Sequence, residues 1–187
     1  MMDYADLAGR AADEIKAAAA GVDPAALSAL VDEIASAGRI AIYGVGREGL
    51  MMKALGMRLF HLGLDAHIVG DVTTPPLGAG DLLIVSAGPG DFSTVRGLVG
   101  VARDAGARTA CVTAQPGGGV PSLCDTVLTI PAQTMADDQG AAARSVLPMG
   151  SLFEGAQYLV FECLVILVRE RLGVTPEAMR ANHTNLE

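Results

Sequence analysis

The amino-acid sequence predicts an α/β fold, a three-layer α/β/α sandwich built on a five-stranded parallel sheet. Three observations carry the prediction. After Gly38, short apolar runs alternate with segments of helical periodicity, which implies right-handed crossovers between parallel strands. Hydrophobic residues make up 51% of the chain, with 23 glycines, a composition suited to strands covered on both faces. The length of 187 residues suffices for one cored domain but leaves no room for a second.

In chain order, two helices come first, near Tyr4 to Ala20 and Pro24 to Ala37. In the second, Asp23 can cap, Pro24 suits the first helical position, and Leu27, Leu30, Val31 and Ile34 recur at helical spacing. Strands follow near Arg39 to Tyr43, Ala66 to Val69, Leu82 to Ser86, Thr109 to Thr113 and Thr126 to Ile130. Helices fall near Glu48 to Leu62, Ser93 to Ala105, Val120 to Cys124 and Pro148 to Leu172, with a short one after Pro176. The reading is one domain over 1–187. Its helices 1–38 and its C-terminal helix and tail 148–187 pack on the sheet or on neighbouring subunits.

Charge and cysteine usage exclude several function classes. The formal charge is -8 and Lys16 and Lys53 are the only lysines, so no basic field exists to hold nucleic acid or an anionic membrane. Cys111, Cys124 and Cys163 lack C-x-x-C spacing and read as buried thiols in a reducing compartment, neither a disulfide frame nor a zinc site. The start, "MMDYADLAGRAADEIK", has acids where a secretion signal needs bases, so a cytoplasmic location is expected. The run "YLVFECLVILV" is interrupted by Glu162 and too short to span a bilayer; it reads as a buried helix.

In open parallel sheets, ligands sit beyond the carboxyl ends of the strands. The loop after the first strand carries Gly44, Gly46 and Gly49 as G-x-G-x-x-G, and Asp71 follows the second strand where a dinucleotide site needs an acid. Against a dinucleotide stand the two preceding helices, the lack of a second domain, and another glycine-rich turn, "SAGPGDFST", after the third strand. Two such turns converge on one compact anion more naturally than on an extended cofactor. The segment Pro131 to Leu147 reads as a solvated loop or a lid over that site. His61 and His67 read as packing residues.

The stretches "GVGREGLMMKALGMRLFHLG", "DVTTPPLGAGDLLIVSAGPGD", "LPMGSLFE" and "MRANHTNLE" together resemble the sugar isomerase (SIS) domain family, and within it the 6-phospho-3-hexuloisomerases. The similarity covers nearly the whole chain. It implies a homotetramer that interconverts 3-hexulose 6-phosphate and fructose 6-phosphate without a metal or organic cofactor. By the same resemblance Glu154 is the base and His183 an auxiliary acid reaching a neighbouring subunit's site. Gly44, Gly46, Arg47, Ser86, Ala87, Gly88, Gly90, Ser93 and Thr94 then form the substrate-binding set. On the residues alone, Glu154 reads rather as a helix-stabilising first-turn acid, and Arg47 is equally a surface or interface arginine.

This chain departs from the family at its phosphate loop, which in relatives reads S-G-S-G-E-T-T-S. Aligned on Gly88 and Gly90, Ala87, Pro89, Asp91 and Phe92 replace Ser, Ser, Glu and Thr, so three hydroxyls and an N–H donor are lost. Glu48 replaces the serine after Arg47, and Asn182 and Thr184 alter the tail. A phosphate facing both Glu48 and Asp91 is expected to meet repulsion, about 4 kcal/mol per unit-charge pair about 4 Å apart at an effective dielectric of 20. Three readings result: a sugar-phosphate isomerase, a non-catalytic or differently directed sugar-binding module, and a small NAD-binding domain.

Overall fold

Local chemistry sets the first elements of the computed structural model, which describes residues 3–186. Asp3 caps α1 (Tyr4–Ala20), and Asp23 caps α2 (Pro24–Ser36) by accepting from the N–H groups of Ala25 and Ala26, with Pro24 opening the helix. Then follow β1 (Ile40–Tyr43), α3 (Gly46–His61), β2 (Ala66–Ile68), β3 (Leu82–Ser86), α4 (Ser93–Asp104), β4 (Arg108–Thr113) and β5 (Thr126–Thr129). A long helix α5 (Ser151–Leu172) and a short α6 (Pro176–Ala181) complete the chain.

The five strands are all parallel, in the order β2-β1-β3-β4-β5. Their side chains alternate between two packed faces. Ile40, Ile42, Leu82, Ile84, Val112 and Leu128 pack with α1, α2, α3 and α5, whereas Ala41, Leu83, Val85 and Cys111 face α4 and the turn after β4. The predicted three layers are therefore present, one of them four helices wide and the other mostly α4.

Helix α5 is the main packing element of the wide layer. Phe153, Val160, Phe161, Leu164 and Val168 are buried, each worth about 1.5–3 kcal/mol when removed from water. The whole helix, at 22 residues, is long and apolar enough to cross a membrane by length and composition, unlike the shorter run read from sequence. Its inward face is instead packed on α1, α2 and α3.

Several local expectations are corrected. The predicted helix at Val120 to Cys124 is a single 3-10 turn, Pro121–Leu123, because the short connection from β4 to β5 leaves room for no more. Cys111 is buried, but Cys124 is half-buried and Cys163 is exposed, since it lies on the outer stripe of α5. His61 is buried as expected, whereas His67 is half-exposed and hydrogen-bonds through Nε2 to the Asp65 carboxylate at 2.7 Å. The 131–147 segment contains the 3-10 turn Gly140–Ala142 and is tied down. The Gln133 side-chain oxygen accepts from the N–H groups of Arg144 and Ser145, and the Glu14 carboxylate accepts from Val146 N–H and the Ser145 hydroxyl.

Candidate active site between the ends of the first and third strands

The chain runs from β1 outward to β2 and returns to β3 on the other side of β1, so the loops leaving β1 and β3 diverge and open a crevice between them. Gly44 and Gly49 let α3 begin hard against the end of β1: a Cβ at Gly49 would lie 2.5 Å from the Gly44 carbonyl oxygen. Gly46 starts the helix at φ +58°, which places Arg47 and Glu48 in its first turn.

Glu48 points inward. It is buried, and its Oε2 accepts from the Ser86 hydroxyl at 2.5 Å and from the Gly88 N–H at 2.9 Å. Gln157 on α5 donates through Nε2 to the same Ser86 oxygen at 2.9 Å, so one buried polar network joins α3, β3 and α5. Burial pushes the Glu48 carboxyl above its ordinary value; the bonds from Ser86 and Gly88 act the other way, and the nearby Glu154 adds a smaller upward push. Gly88 leaves space for both, since an added Cβ would come within 2.8 Å of Glu48 Oε1 and of the Phe153 ring and force them to shift.

Glu154 lies in the first turn of α5, one helical turn before Gln157, where Met149 and Gly150 bring the chain round with positive φ. Its side chain is only 12% exposed, and Oε2 lies 2.9 Å from Arg47 Nε. Arg47 also donates through Nη1 to the Ser151 hydroxyl at 3.1 Å. Burial raises the Glu154 pKa, and the Arg47 charge partly offsets this. Arg47, Glu48, Phe92, Met135, Phe153 and Glu154 line a cavity of about 260 Å³, so two carboxylates and one arginine stand in a mostly apolar wall to which Thr134 also contributes. A larger cavity of about 470 Å³ lies on the other side of the α5 start, where Gln115, Gln133, Arg144 and Leu152 contribute.

The other predicted residues divide. Gly44, Gly46, Ser86, Gly88 and Gly90 cluster around the crevice, but Ala87 is fully buried, its carbonyl accepting from Gly90 N–H and the Thr113 hydroxyl. Ser93 and Thr94 open α4 as exposed residues outside the cavity lining. Asp91, expected to face a bound anion, is turned aside into an ion pair with Arg96. His183 is remote: it follows α6 and stacks beside His61, with ring centroids 5.2 Å apart, at the far end of α3. Arg47 and His61 stand roughly 21 Å apart along that helix at about 1.5 Å per residue.

Sequence reasoning missed Gln157. The signal for Gln157 was its i+3 spacing from Glu154, which puts both on one face of α5.

No protein-family model matches the chain. It is 38% identical over 175 residues to the 3-hexulose-6-phosphate isomerase of Mycobacterium gastri, covering 94% of this chain and 87% of that protein. It is 33% identical to the enzyme of the same name from Bacillus subtilis, over 94% of each. A Methanococcus jannaschii crystal structure, from which a 3-hexulose-6-phosphate isomerase function has been inferred, superposes with a TM-score of 0.82. It shares 26% identity and covers 96% of this chain and 98% of that one. A phosphoheptose isomerase of Francisella tularensis, 17% identical with a TM-score of 0.68 over 90% of this chain and all of that one, shares the fold.

Proposed function

The chain belongs to the 3-hexulose-6-phosphate isomerase family, and on that premise we propose that it is a sugar-phosphate isomerase, moving a ketose carbonyl between adjacent carbons through an enediol with Glu154 as the proton carrier. The observation that supports this most is the Glu154 carboxylate itself, sheltered at the wall of a substrate-sized cavity with a guanidinium beside it. The ionised carboxylate takes the proton from the carbon next to the carbonyl. The carbonyl oxygen takes a proton from an auxiliary acid to give the enediol, and Glu154 returns its proton to the neighbouring carbon while the other hydroxyl gives its proton back to that acid's conjugate base and becomes the new carbonyl. Hydrogen and electrons balance within the sugar. Arg47 holds Glu154 in place and offsets charge that develops on the enediol oxygens.

In this proposal the protein acts in the cytoplasm as a homotetramer, and His183 serves a neighbour's site as auxiliary acid. Two features support the assembly. His183 is too distant from Glu154 of its own chain, and Tyr158, Leu159, Ile166 and Leu167 leave an apolar stripe exposed along α5.

The test is turnover of 3-hexulose 6-phosphate to fructose 6-phosphate by the purified chain, with incorporation of solvent deuterium next to the carbonyl and light scattering on the same sample. Turnover with deuterium uptake and a tetramer mass is the expected result. Sugar binding without proton exchange would identify a binding module instead, and a monomer would remove His183 from the mechanism.

A further inference from the structure

Isomerisation through an enediol moves one proton between carbons and another on and off the oxygens, and Glu154 accounts only for the first. The second needs an acid within reach of the carbonyl oxygen. Glu48 is the other carboxyl in the cavity wall. It stands where the family resemblance places a serine, so its role belongs to this chain.

The hydrogen bonds of Glu48 divide its two oxygens. Oε2 accepts from the Ser86 hydroxyl and from the Gly88 N–H, which takes up both of its lone pairs. The Ser86 oxygen accepts from Gln157 Nε2, which keeps the hydroxyl proton directed at Glu48. Oε1 has no hydrogen-bond partner among the described residues and is not sealed off by them, and Glu48 lines the cavity. A proton on this carboxyl therefore sits on Oε1.

The surroundings set the two carboxyls apart. Glu154 has the Arg47 guanidinium beside it, which favours its charged form. Among the described residues Glu48 makes no ion pair. Burial pushes its carboxyl up, the bonds from Ser86 and Gly88 act against this, and the Glu154 charge adds a further upward push. The Cys111 thiol on β4, which also feels Glu48, is kept neutral by Cys124 and by burial. Two carboxyls on one cavity wall lose their protons in turn, and Glu154 goes first.

The geometry points to Glu48 as a second catalytic residue: its Oε1–H protonates the carbonyl oxygen of the ketose within the chain's own cavity. The assignment rests on the isomerase reading above. As Glu154 takes the proton from carbon, the C–H electron pair becomes the carbon–carbon double bond, and the carbonyl π pair takes the proton from Oε1. In the second half the neighbouring hydroxyl returns a proton to Oε1 and its electron pair forms the new carbonyl, while the double-bond pair takes the proton held by Glu154. Both carboxyls end as they began. A neighbour's His183 then assists this transfer and is not its source.

The test follows conversion of 3-hexulose 6-phosphate across pH by wild type, Glu48→Gln and His183→Asn, with thermal unfolding of each. Glutamine keeps an oxygen for Ser86 and Gly88 but has no acidic proton, so kcat is expected to fall about a hundredfold or more with KM changed by less than about threefold. Wild type should lose activity at alkaline pH as Glu48 ionises; that limb should persist in His183→Asn and be absent from Glu48→Gln. Folded Glu48→Gln turning over within about threefold of wild type overturns the assignment. So does an alkaline limb that disappears with His183→Asn, a result that stands even if Glu48→Gln does not fold. Infrared spectra at neutral pH should show a protonated-carboxyl band in wild type that Glu48→Gln lacks, and identical spectra contradict the proposal. Wild type without turnover would sink the isomerase reading, while the infrared spectra, which need no substrate, would still decide whether Glu48 carries a proton.

Discussion

Replacing Glu154 with glutamine separates chemistry from architecture. A positioned general base contributes about 10²–10⁴ in rate, which is roughly 3–5 kcal/mol at about 1.4 kcal/mol per factor of ten. With its side chain only 12% exposed, Glu154 leaves little room for a water molecule to take its place. The loss in kcat is therefore expected toward the upper end, about 10³–10⁴. Stability should change little. Glutamine removes a charge whose burial is unfavourable, and what it gives up is an ion pair to an arginine that is itself 65% exposed, worth on the order of 1 kcal/mol or less. For a domain of this size that corresponds to a Tm change of about 2–4 °C or less. The assay is conversion of 3-hexulose 6-phosphate at saturating substrate beside calorimetric melting of both proteins. Residual turnover above about a tenth of wild type would remove Glu154 from the mechanism. A Tm loss above about 10 °C would show that the carboxylate serves the fold.

The same carboxylate sets the pH dependence. Burial raises its pKa, so the acid limb of kcat/KM should fall at a pH above the ordinary carboxylate value of 4.5, and Arg47→Ala, by removing the offsetting charge, should move that limb higher still; an acid limb at or below 4.5, or one unmoved in the variant, contradicts the assignment. Phe153, 1% exposed and packed on Gly88, anchors the start of α5 against the β3 turn. Phe153→Ala should cost about 3–5 kcal/mol, read as a lower urea midpoint with an unchanged slope, and a loss below about 1 kcal/mol would show that the start of α5 is held by something else.

Much of the architecture was legible in the residues because its causes are local. The periodicity of Leu27 to Ile34, the Asp23-Pro24 cap and the apolar runs at Ile40 and Leu82 depend on neighbours within a turn or a strand, and each appears where those patterns place it. The glycine spacing after β1 likewise announces a tight strand-to-helix turn, and Gly49 meets Gly44 there. The direction of a side chain across the crevice is a different matter. Glu48 reads from sequence as a charge beside a bound anion, yet its carboxylate is bonded to Ser86, 38 residues away, and Gln157 reaches the same hydroxyl across 71 residues. His183 at the far end of α3 and Cys163 on the outer stripe of α5 were likewise decided by how finished elements pack. The sequence by itself determined which segments become strands and helices, since hydrophobic periodicity and capping act over a few residues. Only the tertiary structure decided which donors the turn keeps for a ligand, because hydrogen bonds are allotted among groups that meet only after β1, β3 and α5 have come together.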